Sequence, residues 1–391
     1  MNKTVCAVTT TRADYGLLKP LLSRLQEEEM ICLRIVASGT HLRGNFGNTL
    51  DEIVNDGFEI HRKIDILSDE DTPKATSESM GKTLNQFGAY FESFPPDLLI
   101  VLGDRFEMLA VGIAAVNQRI SIAHFHGGET THGALDECYR HAITKMSWLH
   151  FVSCELYRRR VIQLGEDPDR VYNVGALGVE NALNTPLMPL AALEKELGFE
   201  MQTRPYCVVT FHPATAEHHA AGAQVGAVME AMDAYPNMGF VVTKSNADAG
   251  GREINRLWDE YGQNRKNIHI VASLGMVKYL SVLRGAKAVI GNSSSGIIEA
   301  PPLGVPTVNI GGRQAGRLQA PSVVNAESEK SSIIGAMDRA FSEEFSRIAK
   351  KKQSFYGDGH TSRRAADIIK ERLCRDTPVP EKRFFDIMFE V

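Results

Sequence analysis

The chain has 391 residues, enough for about two domains of ~100–200 residues that each bury a core. Its 43 Lys and Arg against 48 Asp and Glu give a net charge of −5, which speaks against a protein that binds nucleic acid through a basic surface. The 43% hydrophobic and 23% charged residues suit a globular domain rather than a disordered chain, and no apolar run reaches the ~18 residues of a membrane-spanning helix. In chain order, residues 5–10 read as a strand and 17–28 as a helix, with Leu17, Leu18, Leu21, Leu22 and Leu25 at helical spacing. A strand at 31–37 follows, then helices around 51–55 and 77–91. Residues 97–102 form a continuous apolar strand of the kind buried in a parallel sheet. Helix 106–116, strand 120–124, helix 134–146, strand 149–153, helix 155–164 and strand 171–174 complete the first series.

The alternation then restarts, with strands at 206–210, 239–243, 269–272, 288–290 and 307–310 and helices between them. Repeated β-then-α units predict an α/β protein of two Rossmann-like, doubly wound parallel-sheet domains. The Pro-containing segment at 184–189 is the expected linker. This divides the chain into 1–184, 185–365 and a tail, 366–391, expected to pack back on the domains. Two such sheets would face a central cleft at their strand C-termini, where α/β folds bind ligands. Six scattered cysteines, with no C-x-x-C, suggest neither a disulfide framework nor a zinc site. The first residues read as the start of a strand and not as a secretory leader, so a cytoplasmic protein is expected.

Five strand-end loops carry the polar and glycine residues, and each admits a bland reading beside a functional one. In the first, residues 9–16, Arg12 at a helix start is placed for an anion or, equally, for pairing with Asp14. No G-x-G-x-x-G or Walker sequence is present, which weakens the dinucleotide and P-loop readings. In the second, Gly103-Asp104-Arg105, Asp104 is an acid at a sheet edge or a helix N-cap. The third, residues 124–141, holds four histidines, three acids and three glycines around Asp136 and Arg140. Such density after an apolar strand favours acid/base chemistry over an i,i+4 ion pair on a solvated helix, and no metal-ligand spacing appears. The fourth brings His212 to the matching place in the second half. In the fifth, Ser293, Ser294 and Ser295 precede an apolar helix and Glu299, with Arg313 after the next strand. Together they suggest a nucleotide diphosphate held without a Walker lysine, against plain Ser capping.

As a set, Arg-Ala-Asp-Tyr-Gly, Gly-Asp-Arg, His-x-His-Gly-Gly-Glu, Asp-Glu-x-x-Arg-His-x-Ile-Thr-Lys, Phe-His-Pro, Ser-Asn-Ala-Asp and Gly-Asn-Ser-Ser-Ser-Gly-x-x-Glu resemble the hydrolysing UDP-N-acetylglucosamine 2-epimerases. These enzymes open the synthesis of sialic and related nonulosonic acids. The resemblance runs from Val5 to about Gly359 and implies the GT-B-like two-domain fold. It implies a UDP site of Arg12, Arg105, His212, Asn246, Ser293, Ser294, Glu299 and Arg313. The catalytic residues it implies are Asp104, His126, Glu129, Asp136 and Arg140, with His41 at the sugar. Some members have a catalytic Glu where this chain has His126. The implied partners are a UDP-sugar substrate and the UDP product, with no cofactor or metal, and the protein is expected to form a homo-oligomer, a dimer or tetramer. A relative acting on a UDP-diacetylbacillosamine, a GT-B glycosyltransferase and a nucleotide-sugar sensor are the competing readings.

Overall fold

The computed structural model describes residues 2–43, 49–68, 70, 72–131, 135–213, 221–245, 250–375 and 382–388. The chain forms two units, each built on one parallel sheet. The first contains β1 (Lys3–Thr9), β2 (Ile31–Ser38), β3 (Ile60–Ile64), β4 (Leu98–Leu102), β5 (Ser121–Phe125), β6 (Leu149–Val152) and β7 (Val171–Asn173). Their order is β3-β2-β1-β4-β5-β6-β7. The second contains β8 (Tyr206–Thr210), β9 (Gly239–Thr243), β10 (Ile268–Val271), β11 (Ala288–Gly291), β12 (Thr307–Ile310) and β13 (Val323–Ala326), in the order β10-β9-β8-β11-β12-β13.

Both sheets are apolar on both faces because helices cover both. On one face of the first sheet, Leu18, Leu21, Leu22 and Leu25 of helix Arg12–Glu27 pack with Ile100 and Phe125. On the other, Phe87, Phe91, Met108 and Val111 meet Leu99, Val101 and Ile122. In the second unit, Trp258, Val228 and Met337 cover one face around Val209 and Ile290, while Leu193, Phe199 and Val282 pack with Val208 and Val241 on the other. Strand order reverses between β1 and β4 in the first sheet and between β8 and β11 in the second. At such a reversal the connections leave in opposite directions and open a crevice at the strand C-termini. Arg12 opens the helix after β1, Asp104 lies in the loop after β4, and the loops after β8 and β11 carry His212 and Ser293.

The observed division differs from the sequence expectation at both boundaries. The units part between Leu177 and Gly178, seven residues before the expected boundary at 184/185. More importantly, Gly357–Val391 belongs to the first unit. Helix Thr361–Arg375 buries Ala365, Ala366, Ile369 and Leu373 in the core that contains Leu18, Leu22 and Leu25. The expected boundary at 365/366 therefore cuts through one helix whose apolar face is committed to the first unit. Among the described residues, no helix is long and apolar enough to cross a membrane.

Candidate active site

In the first unit, Arg140 organises the cluster. It sits one turn into helix Asp136–Met146 and is 1% exposed. Its Nε donates to Asp104 Oδ2 at 3.0 Å and its Nη2 donates to the same oxygen. Its Nη1 donates to the Glu129 carbonyl at 2.9 Å and to Glu137 Oε2. Burial alone would lower the guanidinium's pKa, but Asp104, Glu129 and Glu137 outweigh it and raise it. Asp104 is thus oriented across 36 residues of sequence instead of capping the next helix; Arg105 occupies the cap position, with no side-chain cap bond. The i,i+4 pair Glu137–His141 is present at 3.5 Å, and Arg140 takes Glu137 three residues earlier. Asp136 opens the helix, half-buried.

Glu129, 5% exposed, accepts from Ser153 Oγ at 2.9 Å, and His126 Nδ1 lies 3.4 Å from the same Oε1. His126 has φ +67°, a left-handed conformation that costs a non-glycine residue ~1–3 kcal/mol, so the surrounding fold forces it. Its Nε2 is buried and lacks a hydrogen-bond partner among the described residues.

The other first-unit candidates are placed differently. Arg12 pairs with Glu52. Asp14, the alternative partner, instead accepts from Thr9 Oγ1, Thr10 N and Thr11 N at 2.6–2.9 Å and closes a capping box with Thr11. Arg105 Nη2 is 3.1 Å from the buried Glu107 carboxylate. His41 is 3% exposed, with Nε2 on Thr9 Oγ1 at 2.9 Å and Nδ1 on Thr49 Oγ1 at 2.8 Å. Burial lowers its pKa, so it is a neutral ring bonded at both nitrogens.

In the second unit, Asn292 is the residue that sequence reasoning passed over. Its Oδ1 accepts from His212 N at 2.7 Å and its Nδ2 donates to His212 O at 2.8 Å, so β8 and β11 end in a fixed relation. Its carbonyl accepts from Arg313 Nη1 at 3.2 Å and Gln314 Nε2 at 2.8 Å. Gly291 makes this approach possible: it has φ +132°, and a Cβ there would fall 1.9 Å from the Thr210 carbonyl. His212 Nδ1 is 3.2 Å from Ser245 Oγ, and burial with the nearby Arg313 pushes its pKa down to about 3. It is therefore a neutral hydrogen-bonding group at pH 7.

Ser293 Oγ accepts from Ser295 N at 3.3 Å, and Tyr279 OH donates to Ser295 Oγ at 2.7 Å. The expected apolar helix after the serines is two four-residue turns, Ser295–Ile298 and Ala300–Leu303, with Glu299 between them. Pro301 and Pro302 have no N–H to continue the ladder. Asn246 lies outside the described residues. Among the described residues, no group of three or more His, Cys, Asp or Glu is placed to hold a metal ion.

Asn292 stood in the serine motif, while Ser153 had only its place just past the end of β6 to mark it.

The profile of the UDP-N-acetylglucosamine 2-epimerase family matches residues 23–370. The Campylobacter jejuni GDP/UDP-N,N'-diacetylbacillosamine 2-epimerase (hydrolyzing) is 38% identical over 343 residues, 87% of each chain. The Escherichia coli polysialic acid biosynthesis protein P7 is 37% identical over 386 residues, 98% of each. A crystal structure of UDP-GlcNAc 2-epimerase from Neisseria meningitidis bound to UDP-GlcNAc has a TM-score of 0.80 at 19% identity, covering 95% of this chain and all of that one; it speaks to the fold. The two sheets, the motifs in their switch-point loops and these matches over nearly the whole length place the chain in the UDP-N-acetylglucosamine 2-epimerase family, among its hydrolysing members.

Proposed function

We propose that the protein converts UDP-N-acetylglucosamine and water into UDP and N-acetylmannosamine, the first step towards a sialic or related nonulosonic acid, as a cytoplasmic homo-oligomer. One observation carries this reading: a single buried guanidinium, Arg140, binds Asp104 of the loop after β4 together with Glu137 and the backbone of Glu129, which follow β5. A site that only bound a nucleotide would have no use for so many carboxylates.

The C2 hydrogen of the substrate is not adjacent to a carbonyl, so the C1–O bond to the diphosphate must weaken first. As positive charge grows at C1 and the ring oxygen, the C2 proton becomes acidic. A carboxylate takes it, the C1–O pair leaves with UDP, and a glycal with a C1=C2 double bond remains. Water then adds its oxygen to C1, and a proton returns to C2 from the opposite face. Two groups are needed for the two faces, and Asp104, Glu129, Asp136 and His126 supply the candidates. Neighbouring carboxylates divide the acid and base roles by their unequal surroundings. UDP departs as a stable anion that requires cations and hydrogen-bond donors. Arg313, the Ser293–Ser294 turn and the neutral His212 are assigned to it, with Glu299 towards the ribose, together with Arg12, Arg105 and Asn246.

A second reading keeps the chemistry and changes the sugar. The 38% identical Campylobacter relative is named for a diacetylbacillosamine nucleotide, which carries a second acetamido group in place of a hydroxyl. Proton NMR in heavy water, with either nucleotide sugar and no acceptor, tests both readings. Free UDP and the manno-configured sugar with one deuteron at C2 are expected. UDP-sugar that stays intact until an acceptor is added marks a glycosyltransferase, and binding without turnover marks a sensor.

A further inference from the structure

The loop that carries Asp104 has little to hold it from within. Gly103 lies at φ +79°, and a Cβ built there would touch nothing within 4 Å. Glycine at such a position has wide freedom unless both its polar groups are tied. Both are tied, and both to β5. The Gly103 N–H donates to the Phe125 carbonyl at 3.1 Å. The Gly103 carbonyl meets His124 Nε2 at 2.8 Å.

His124 is wholly buried, on the strand beside β4. A carbonyl oxygen only accepts, so the ring hydrogen is on Nε2. That leaves Nδ1 without a hydrogen, 3.3 Å from Thr144 Oγ1, whose single hydroxyl hydrogen is shared between this nitrogen and the Arg140 carbonyl at 2.9 Å. Burial holds the pKa of His124 down to about 3, with His150 and Arg140 adding to the effect and the Gly103 bond and Asp104 opposing it. A neutral ring ties the turn without placing a second cation beside the carboxylate that Arg140 already binds. The small Gly127 leaves room for it: a Cβ there would come within 3.2 Å of His124 Nδ1 and Thr144 Oγ1.

We propose that His124 is a positioning residue, which clamps the Gly103 carbonyl through its Nε2–H and so sets Asp104 onto Arg140 for proton transfer. The role rests on the epimerase reading, but the clamp itself is a property of the first unit alone.

Two variants of the full chain separate positioning from packing. In His124→Gln the side-chain amide reaches the place of Nε2 and keeps a donor. His124→Leu keeps comparable bulk and loses the donor. With UDP-N-acetylglucosamine or UDP-diacetylbacillosamine, whichever the wild type turns over, His124→Leu is expected to lower kcat by ~10²-fold, the scale of a misplaced catalytic group. Its KM and the Kd for UDP should stay within about twofold, while His124→Gln recovers most of the lost rate. Wild-type kcat in a folded His124→Leu protein, or an equal loss in both variants, overturns the proposal.

Nitrogen-15 NMR of the wild-type ring is the second measurement and does not depend on activity. It should show the neutral Nε2–H tautomer from pH 8 to pH 5. A hydrogen on Nδ1, or an imidazolium at pH 7, overturns the clamp even where a variant fails to fold. If the wild type releases UDP from neither sugar, the epimerase reading fails while the ring NMR still decides the clamp.

Discussion

Asp104 and Arg313 do different work, and single substitutions separate them. Asp104→Asn keeps the size of the side chain and its contact with Arg140 but removes a base. UDP release should fall by ~10²–10⁴-fold, the usual worth of one proton-transfer group, with the Kd for UDP unchanged. Single-turnover UDP release and calorimetry check the two halves, and an unimpaired rate would take Asp104 out of the chemistry. Arg313→Ala should show the opposite pattern. Its guanidinium already donates to the Asn292 carbonyl, which fixes the direction it presents. Losing a charge-assisted bond worth ~1.5–3 kcal/mol should weaken UDP binding by ~10–100-fold. An unchanged Kd would refute that role. Both residues were visible in the sequence because they follow strands, but their partners were not. The expected neighbour of Arg140 was Asp136, one turn away, whereas two of its hydrogen bonds go to Asp104, 36 residues back. Local spacing reports which residues share a helix face and is silent on what another strand brings to it.

Elements follow the same division between local and distant causes. The start of helix Arg12–Glu27 is a local device: the Asp14 carboxylate takes two backbone N–H groups and two threonine hydroxyls. Asp14→Ala removes this acceptor and half the capping box, and should cost about 2 kcal/mol. The urea midpoint should drop with no change in the slope; an unchanged midpoint would show that the helix start is held by packing alone. The core strands β1, β4, β8 and β9 were legible because their unbroken apolar runs have no other use. The edge strands β3 and β13 were missed. Ile60-His61-Arg62-Lys63-Ile64 is mostly polar, as suits a strand that closes a sheet on one side, and such a run reads as loop. The break after Ile298 was foreshadowed by Pro301-Pro302, which the apolar pattern overrode. Ser153 and Asn292 escaped because each acts through a partner, Glu129 or His212, whose proximity only the sheets create.

At the scale of the whole molecule, the first unit takes in the chain up to Leu177, apart from Thr130–Leu135, and is completed only by Gly357–Val391. Helix Thr361–Arg375 is stitched to distant sequence, with Thr361 Oγ1 on the Ala176 carbonyl at 3.2 Å and Arg372 Nε on Tyr172 OH at 2.7 Å. Beyond it, Phe385 N donates to the Gly165 carbonyl at 3.0 Å, and Lys382 Nζ donates to the Ser147 carbonyl and to Glu166. Glu166 is 3% exposed and also accepts from Lys145 Nζ at 2.7 Å and His150 Nε2 at 2.9 Å. Burial lowers the pKa of His150, so this ring is neutral and the carboxylate charge is met by the two lysines. Burial alone would raise the pKa of Glu166, but the His150 hydrogen bond and the lysines outweigh it and hold it at about 2, against 4.5 for the free side chain. Because the folded value is the lower one, the stabilisation is complete above ~pH 5 and is lost as the pH falls towards 2. A displacement of this size corresponds to about 3 kcal/mol. Glu166→Gln should therefore be less stable than wild type at pH 7, with the gap cut by more than half at pH 3 and closing only as the pH nears 2. Lys382→Ala should show a smaller version of the same pattern, since Lys145 and His150 remain. Urea midpoints at pH 7, 5 and 3 check both, and curves that run parallel to wild type would mean that the tail lies against the first unit without contributing through Glu166.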